Sequence, residues 1–376
     1  MFNVYQHWDP LKVCVVGRSY PPEFYSWITV PHVRILFEKI AIETEEDYQD
    51  IIKKLQQFGV EVLRPELPSN TIVNGKYIPP PMTPRDYTVM VGDIFYENYS
   101  SNFSKMHYHN IKDPAWPECS SWHDFDQLPE KVKRECKEIF NFGNIQTARS
   151  EYDKIFDRIK ANGNTVKSGE HSYVNGAQLA RIGQDLYFGT NSYNQDLEKF
   201  SLQINEEFKL TRNHIVNTGG HADGTYCPVC PGLIISLKDV PTYADTFPGW
   251  EVVYLPGQSW NAVQPFLKLK QKNKGKWWIP GFEHDQGVID TVETWLGHWT
   301  GYVEETVFDV NMLIIDPKNV MVFNYNKQVF DALDRYGITP HVVPFRHRYF
   351  WDGGIHCVTS DLHREGTMQD YFPQRS

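Results

Sequence analysis

Met312-Leu313-Ile314-Ile315-Asp316-Pro317-Lys318-Asn319-Val320-Met321-Val322-Phe323 reads as two strands folded about a tight turn, and the 326–343 stretch after it reads as a helix, a glycine stop at Gly337 and a further strand. The flanking runs are apolar and suit extended backbone, while Asp316, Pro317 and Asn319 suit chain reversal. The same opening recurs twice upstream. Tyr87-Thr88-Val89-Met90-Val91 passes through Gly92-Asp93 into Ile94-Phe95-Tyr96, and Gln178-Leu179-Ala180-Arg181 passes through Gly183-Gln184-Asp185 into Leu186-Tyr187-Phe188. The second half of the plan is clearest near the start of the chain. Thr44 is placed to cap a helix, Asp47 falls at the capping-box position, Ile51, Ile52, Leu55 and Phe58 recur at helical spacing, and Gly59 stops the helix before a strand at 60–63. Helix, glycine and strand recur at 150–166, with Gly163 as the stop.

Final strands are expected near 60–63, 165–167, 214–216, 251–255 and 341–344, which makes five α/β units of similar plan and negligible mutual identity. Asp86, Asn175, His221 and Cys357 each fall in the loop beyond one of those strands. Closing five units into a ring would bring the four to one end, in the way a rigid scaffold gathers chemistry on its loops. The spread of candidates along the chain also makes residues 1–376 one domain, because no separable half holds the set. The stretch 99–128, rich in Ser, His, Trp and Pro, reads as an irregular insertion.

Composition narrows the function classes. Of 376 residues, 41% are hydrophobic and 22% charged, ordinary for a folded chain with a sizeable core. A net charge of −10 with scattered Lys and Arg disfavours nucleic acid as a partner and tolerates a cationic substrate. The N-terminus lacks a basic start and apolar run, and no stretch approaches the roughly 20 apolar residues of a membrane span. A cytoplasmic protein with no membrane partner is the expectation, and its six cysteines (Cys14, Cys119, Cys136, Cys227, Cys230, Cys357) read as thiols.

Three segments carry side chains able to do chemistry. Gly353-Gly354-Ile355-His356-Cys357 puts a thiol after two glycines that permit close backbone approach, His221-Ala222-Asp223 supplies an imidazole and a carboxylate, and Pro84-Arg85-Asp86 supplies a second carboxylate. Each has a bland alternative: buried cysteines usually pack as small hydrophobes, a lone histidine is more often structural, Asp86 can cap a turn after Pro84-Arg85, and Asp223 can bond the backbone near Gly224. The Cys227-Pro228-Val229-Cys230 pair invites a zinc or redox reading, but no second pair stands at zinc-finger spacing. Among His341, His347, His356 and His363, an extended backbone would point His356 away from Cys357.

Taken together, Pro84-Arg85-Asp86, His221-Ala222-Asp223 with Cys230-Pro231-Gly232 downstream, and Gly353-Gly354-Ile355-His356-Cys357 followed by Asp361 and Arg364-Glu365-Gly366 resemble the amidinotransferases of the pentein superfamily, relatives of glycine and inosamine amidinotransferases. The resemblance runs from about Lys12 onward and implies a five-bladed α/β propeller of ββαβ units, in agreement with the independent count. It implies an enzyme in which Asp86 and Asp223 grip a guanidinium through charge-assisted bonds, Cys357 forms a covalent amidino intermediate, and His221 passes protons to and from the exchanging amines. No metal or organic cofactor is required. The partners are a small guanidino donor and an amine acceptor, with a homodimer left open.

The chain also departs from that pattern. Asn175 stands where the family places the acidic partner of the catalytic histidine, with Glu170 as a substitute close in sequence. Val240 aligns with an arginine that grips the substrate carboxylate, and Glu304 and Glu305 replace small hydroxyl residues. These changes imply a substrate with a cationic or neutral group where family substrates carry a carboxylate, unless Arg346 or Arg348 supplies another anchor. Two further readings stay open: a guanidino-group hydrolase of the same superfamily, in which water intercepts the intermediate, and a degenerate guanidino-binding protein.

Overall fold

The structure, a computed structural model, describes residues 1–68, 71–73, 76–97, 151–168, 174–190, 197–218, 221–237, 243–255, 279, 281–282, 284–296, 309–351 and 353–375. Strands β1 (Leu11–Val16) and β2 (Glu61–Leu63) run parallel on either side of a long helix, Pro31–Gln57. A small hairpin follows, β3 (Ile72–Val73) with β4 (Lys76–Tyr77). Four repeats of one plan come next, each an antiparallel hairpin whose second strand then pairs in parallel with a third. They are β5 (Thr88–Val91), β6 (Ile94–Glu97) and β7 (Thr165–Ser168); β8 (Leu179–Ile182), β9 (Asp185–Thr190) and β10 (Arg212–Asn217); β11 (Tyr226–Cys230), β12 (Leu233–Ser236) and β13 (Glu251–Tyr254); and β14 (Leu313–Asp316), β15 (Asn319–Val322) and β16 (Thr339–Val342). The last strand, β17 (Thr359–Arg364), returns to pair antiparallel with β1, Leu11 opposite Arg364 and Val16 opposite Thr359. The first unit thus takes its opening strand from the far end of the chain. Five three-stranded sheets form a five-unit α/β propeller.

Local chemistry explains the joints. The Lys327–Arg335 helix starts on Asn326, whose Oδ1 accepts the N–H groups of Gln328 and Val329. It stops at Gly337, which takes a left-handed φ of 67° while the Ile338 N–H reaches back to Leu333 O. The final strand of that unit begins two residues earlier than 341–344, because the Thr339 N–H bonds Lys318 O and sets the register of β16 on β15.

The first helix begins far upstream of Thr44, at Pro31. Val33, Phe37, Ile40, Ala41, Thr44, Tyr48, Ile51 and Leu55 are buried at three- and four-residue spacing, so one apolar stripe continues through the expected cap and packs into the largest core. Burying that stripe outweighs what a local cap at Thr44 could contribute. Thr44 instead lies mid-helix and accepts the Trp351 indole N–H at 2.8 Å.

At the centre of the ring sits a buried charge cluster. Asp361 on β17 receives Arg85, Arg181 and Arg364, with N···O distances of 2.6–2.9 Å, and all four side chains are at most 2% exposed. The three guanidiniums hold its carboxyl well below the usual range against the opposing effect of burial.

Candidate active site

Each unit's first strand is entered through a short turn, and those turns carry the candidates. Asp86 rides the single helical turn Pro84–Tyr87 before β5. Asn175 caps the turn before β8, His221 caps the one before β11 with Asp223 inside it, and Cys357 lies two residues ahead of β17. The turns of neighbouring units touch. A side chain at Gly176 would come within 2.7 Å of Arg85 O, and one at Gly354 within 2.2 Å of Asn311 Oδ1, so these glycines are dictated by contact between loops.

Cys357 is fully buried, and its thiol lies 3.4 Å from Asp223 Oδ2. The same oxygen receives His356 Nδ1 at 2.8 Å. Burial, reinforced by the nearby Arg85 charge, lowers the His356 pKa to about 4, so at neutral pH its ring is uncharged and donates Nδ1–H to the carboxylate. Burial alone would raise the Asp223 pKa, but the hydrogen bonds it accepts from His356 and Cys357 help to bring it below the ordinary value. Asp223 Oδ1 is buried and takes no hydrogen bond among the described residues, so that oxygen is available to an incoming N–H donor. His221 Nδ1 stands 3.8 Å from Asp86 Oδ1, both side chains about one-fifth exposed.

Several sequence expectations meet a different geometry. Asn175 is turned to its own loop, where its Oδ1 accepts the Ala177 N–H at 2.8 Å, and Asp86 places a carboxylate beside His221. The cysteine loop is not extended. The Val358 N–H bonds Gly354 O in a tight turn, so His356 and Cys357 converge on one oxygen of Asp223. Arg346 is no spare anchor, since its guanidinium bonds Asp47 Oδ1 at 2.8 Å and Glu46 Oε2 at 2.7 Å on the first helix. Arg348 donates to Phe345 O and lies over the Tyr349 ring. His341 and His347 bond Asn319 and Glu43, and His363 stacks on Phe2. Val240, Glu304, Glu305, Glu170 and the 99–128 insertion lie outside the described residues.

Burial keeps the other described thiols protonated. Burial pushes Cys14 and Cys227 up to about 12 and Cys230 up to about 11. The residue that sequence reasoning missed is Asn311, whose Nδ2 lies 3.0 Å from Cys357 Sγ. The ring itself held the signal: every other unit had a candidate just before its first strand, and Asn311 occupies that place ahead of β14.

No family model matches the chain. Glycine amidinotransferase, mitochondrial, of Xenopus laevis is 23% identical over 98% of this chain and 84% of its own length. L-arginine:L-lysine amidinotransferase of Pseudomonas savastanoi pv. phaseolicola is 20% identical over 58% of this chain and 52% of its own. Among solved structures, the inosamine-phosphate amidinotransferase of Streptomyces griseus superposes with a TM-score of 0.62 at 18% identity, and an amidinotransferase of saxitoxin biosynthesis from Microseira wollei with 0.61 at 17%, each covering 99% of both chains. The chain shares the fold of these two proteins, a ring of ββαβ units, with the candidate side chains on the entry turns. The relatives and solved structures named here, to which it is similar, are amidinotransferases.

Proposed function

We propose that this protein moves an amidino group from a small guanidino donor to an amine acceptor through a covalent amidino-Cys357. The observation that carries the reading is the pairing of the Cys357 thiol with the Asp223 carboxylate at 3.4 Å, at the same entry turns that hold His221 beside Asp86. A thiolate so close to a carboxylate is repelled unless a cation lies between them, and a guanidinium is such a cation. Substrate binding therefore favours the nucleophile: Asp223 Oδ1 and Asp86 receive the guanidinium N–H edges while its carbon faces the sulfur.

In the first step the thiol proton passes to His221, the sulfur adds to the guanidino carbon, and the C–N bond to the departing amine breaks as His221 hands that proton to its nitrogen. In the second, the acceptor amine adds to the amidino carbon, His221 takes its proton, the C–S bond breaks, and His221 returns the proton to the sulfur to restore the thiol. Interception by water instead of amine would make the same site a hydrolase. The four described cysteines are free thiols, and no helix of the described residues is long and apolar enough to cross a membrane. We take residues 1–376 as one catalytic domain.

Incubating the protein with guanidino compounds and reading intact mass tests the reading. Wild type should gain one amidino group on Cys357, discharged by added amine, whereas Cys357→Ser should keep its fold and lose both adduct and turnover. Label on Cys227 or Cys230 would move the site, and discharge by water with no amine product would make the enzyme a hydrolase. Val240, Glu304 and Glu305 motivate a second expectation, that agmatine is used in preference to arginine. An unpaired carboxylate among acids costs on the order of 1–3 kcal/mol, enough for about a tenfold bias. Comparing kcat/KM for the two donors in wild type and Val240→Arg checks it, and a wild-type preference for arginine refutes it.

A further inference from the structure

No motif points to Asn311, yet its side chain ties together three parts of the site. It is fully buried, and its Nδ2 donates to Cys357 Sγ at 3.0 Å and to Asp223 O at 3.3 Å. Its Oδ1 accepts the backbone N–H of His356 at 2.7 Å and of Cys357 at 3.3 Å. Both amide hydrogens and both oxygen lone pairs are thus engaged. Turning the amide over would set its NH2 against two backbone N–H groups and its oxygen against a carbonyl. The network therefore fixes its orientation with an N–H aimed at the sulfur.

That aim matters because the thiol also touches an acid. The Cys357 S–H donates to Asp223 Oδ2, and once the proton leaves, sulfur and carboxylate repel. We propose that Asn311 is a catalytic residue that holds Cys357 Sγ in place and donates the hydrogen bond that favours its thiolate. The proposal rests on the reading of Cys357 as the nucleophile. Gly354 is part of the device, since any Cβ there would occupy the place of the Asn311 amide.

Asn311→Asp tests it, because the change is nearly isosteric, keeps an oxygen for the two backbone N–H groups and replaces the donor with an acceptor. Iodoacetamide alkylation of Cys357 is followed across pH by intact mass, with near-UV circular dichroism as the check on folding. At pH 7 the variant should alkylate about tenfold more slowly, the scale of one hydrogen bond to a charged group, with the midpoint displaced to higher pH. Amidino transfer should lose kcat with KM nearly unchanged. A folded Asn311→Asp with the wild-type alkylation profile overturns the proposal. Should that variant fail to fold, the wild-type protein answers alone. The Asn311 side-chain N–H resonance should move as the Cys357 thiol titrates and hold still over the same pH range in Cys357→Ser, and a resonance indifferent to the thiol overturns the proposal. Alkylation needs no guanidino substrate. Failure of the transfer reading would therefore appear as a missing amidino adduct with the alkylation contrast intact.

Discussion

At the scale of single residues, neighbours in sequence divide the labour. Arg85 is buried with Asp361 while the next residue, Asp86, faces His221, so one rigid turn fixes the framework and presents a carboxylate. His356 and Cys357 share Asp223 in the same way, the imidazole orienting the carboxylate that the thiol touches. In the proposed mechanism Asp86 has two duties, as the charge beside the imidazole and as one grip on the guanidinium. Asp86→Asn should move the His221 ring titration to lower pH, since a nearby negative charge favours the protonated ring. Asn175→Asp should move it less, because that side chain is turned toward the Ala177 N–H. Ring NMR across pH measures both, and the opposite ranking would restore residue 175 as the partner.

At the scale of elements, the entry turns rather than the strands carry the candidate side chains, and their shapes depend on one another. Gly354 illustrates the coupling: an added Cβ would stand 2.2 Å from Asn311 Oδ1, a contact that neither buried group can relieve cheaply. Gly354→Ala should destabilise the fold by about 1–3 kcal/mol, as overpacking does, and slow Cys357 alkylation by displacing the amide. A thermal melt and a labelling time course read the two effects, and wild-type behaviour in both would mean the loops yield more easily than their packing implies. Within elements the sequence was a good guide. Hairpins and helix stops follow from glycine, proline and asparagine chemistry over a few residues, and the chain shows them where those residues fall. The start of the first helix was not legible in the same way, because the Thr44 and Asp47 pattern imitates a cap, whereas the burial of Val33, Phe37 and Ile40 depends on what packs against them.

At the scale of the whole molecule, Asp361 is the hub. It gathers Arg85 from before β5, Arg181 from β8 and Arg364 from its own strand, and Arg364 Nη2 also reaches Ile314 O on β14, so four of the five units meet around one carboxylate. Asp361→Asn would leave three guanidiniums buried without their counter-ion and should cost about 3–5 kcal/mol in guanidinium chloride unfolding. A loss below about 1 kcal/mol would show that the ring closes without the cluster.

The amino-acid sequence by itself determined the repeated unit, the number of units, and the thiol, imidazole and carboxylates from which the chemistry is read. Those features live in runs of a few residues, where backbone preference and periodic burial act locally. Only the tertiary structure decided that β17 completes the first unit, that Asp86 stands beside His221, that His356 and Asn311 close on Asp223 and Cys357, and that Arg346 is held by the first helix. Each of these joins residues far apart in the chain. Their meeting is fixed by closure of the ring and by the need to satisfy every buried polar group, which no local pattern encodes.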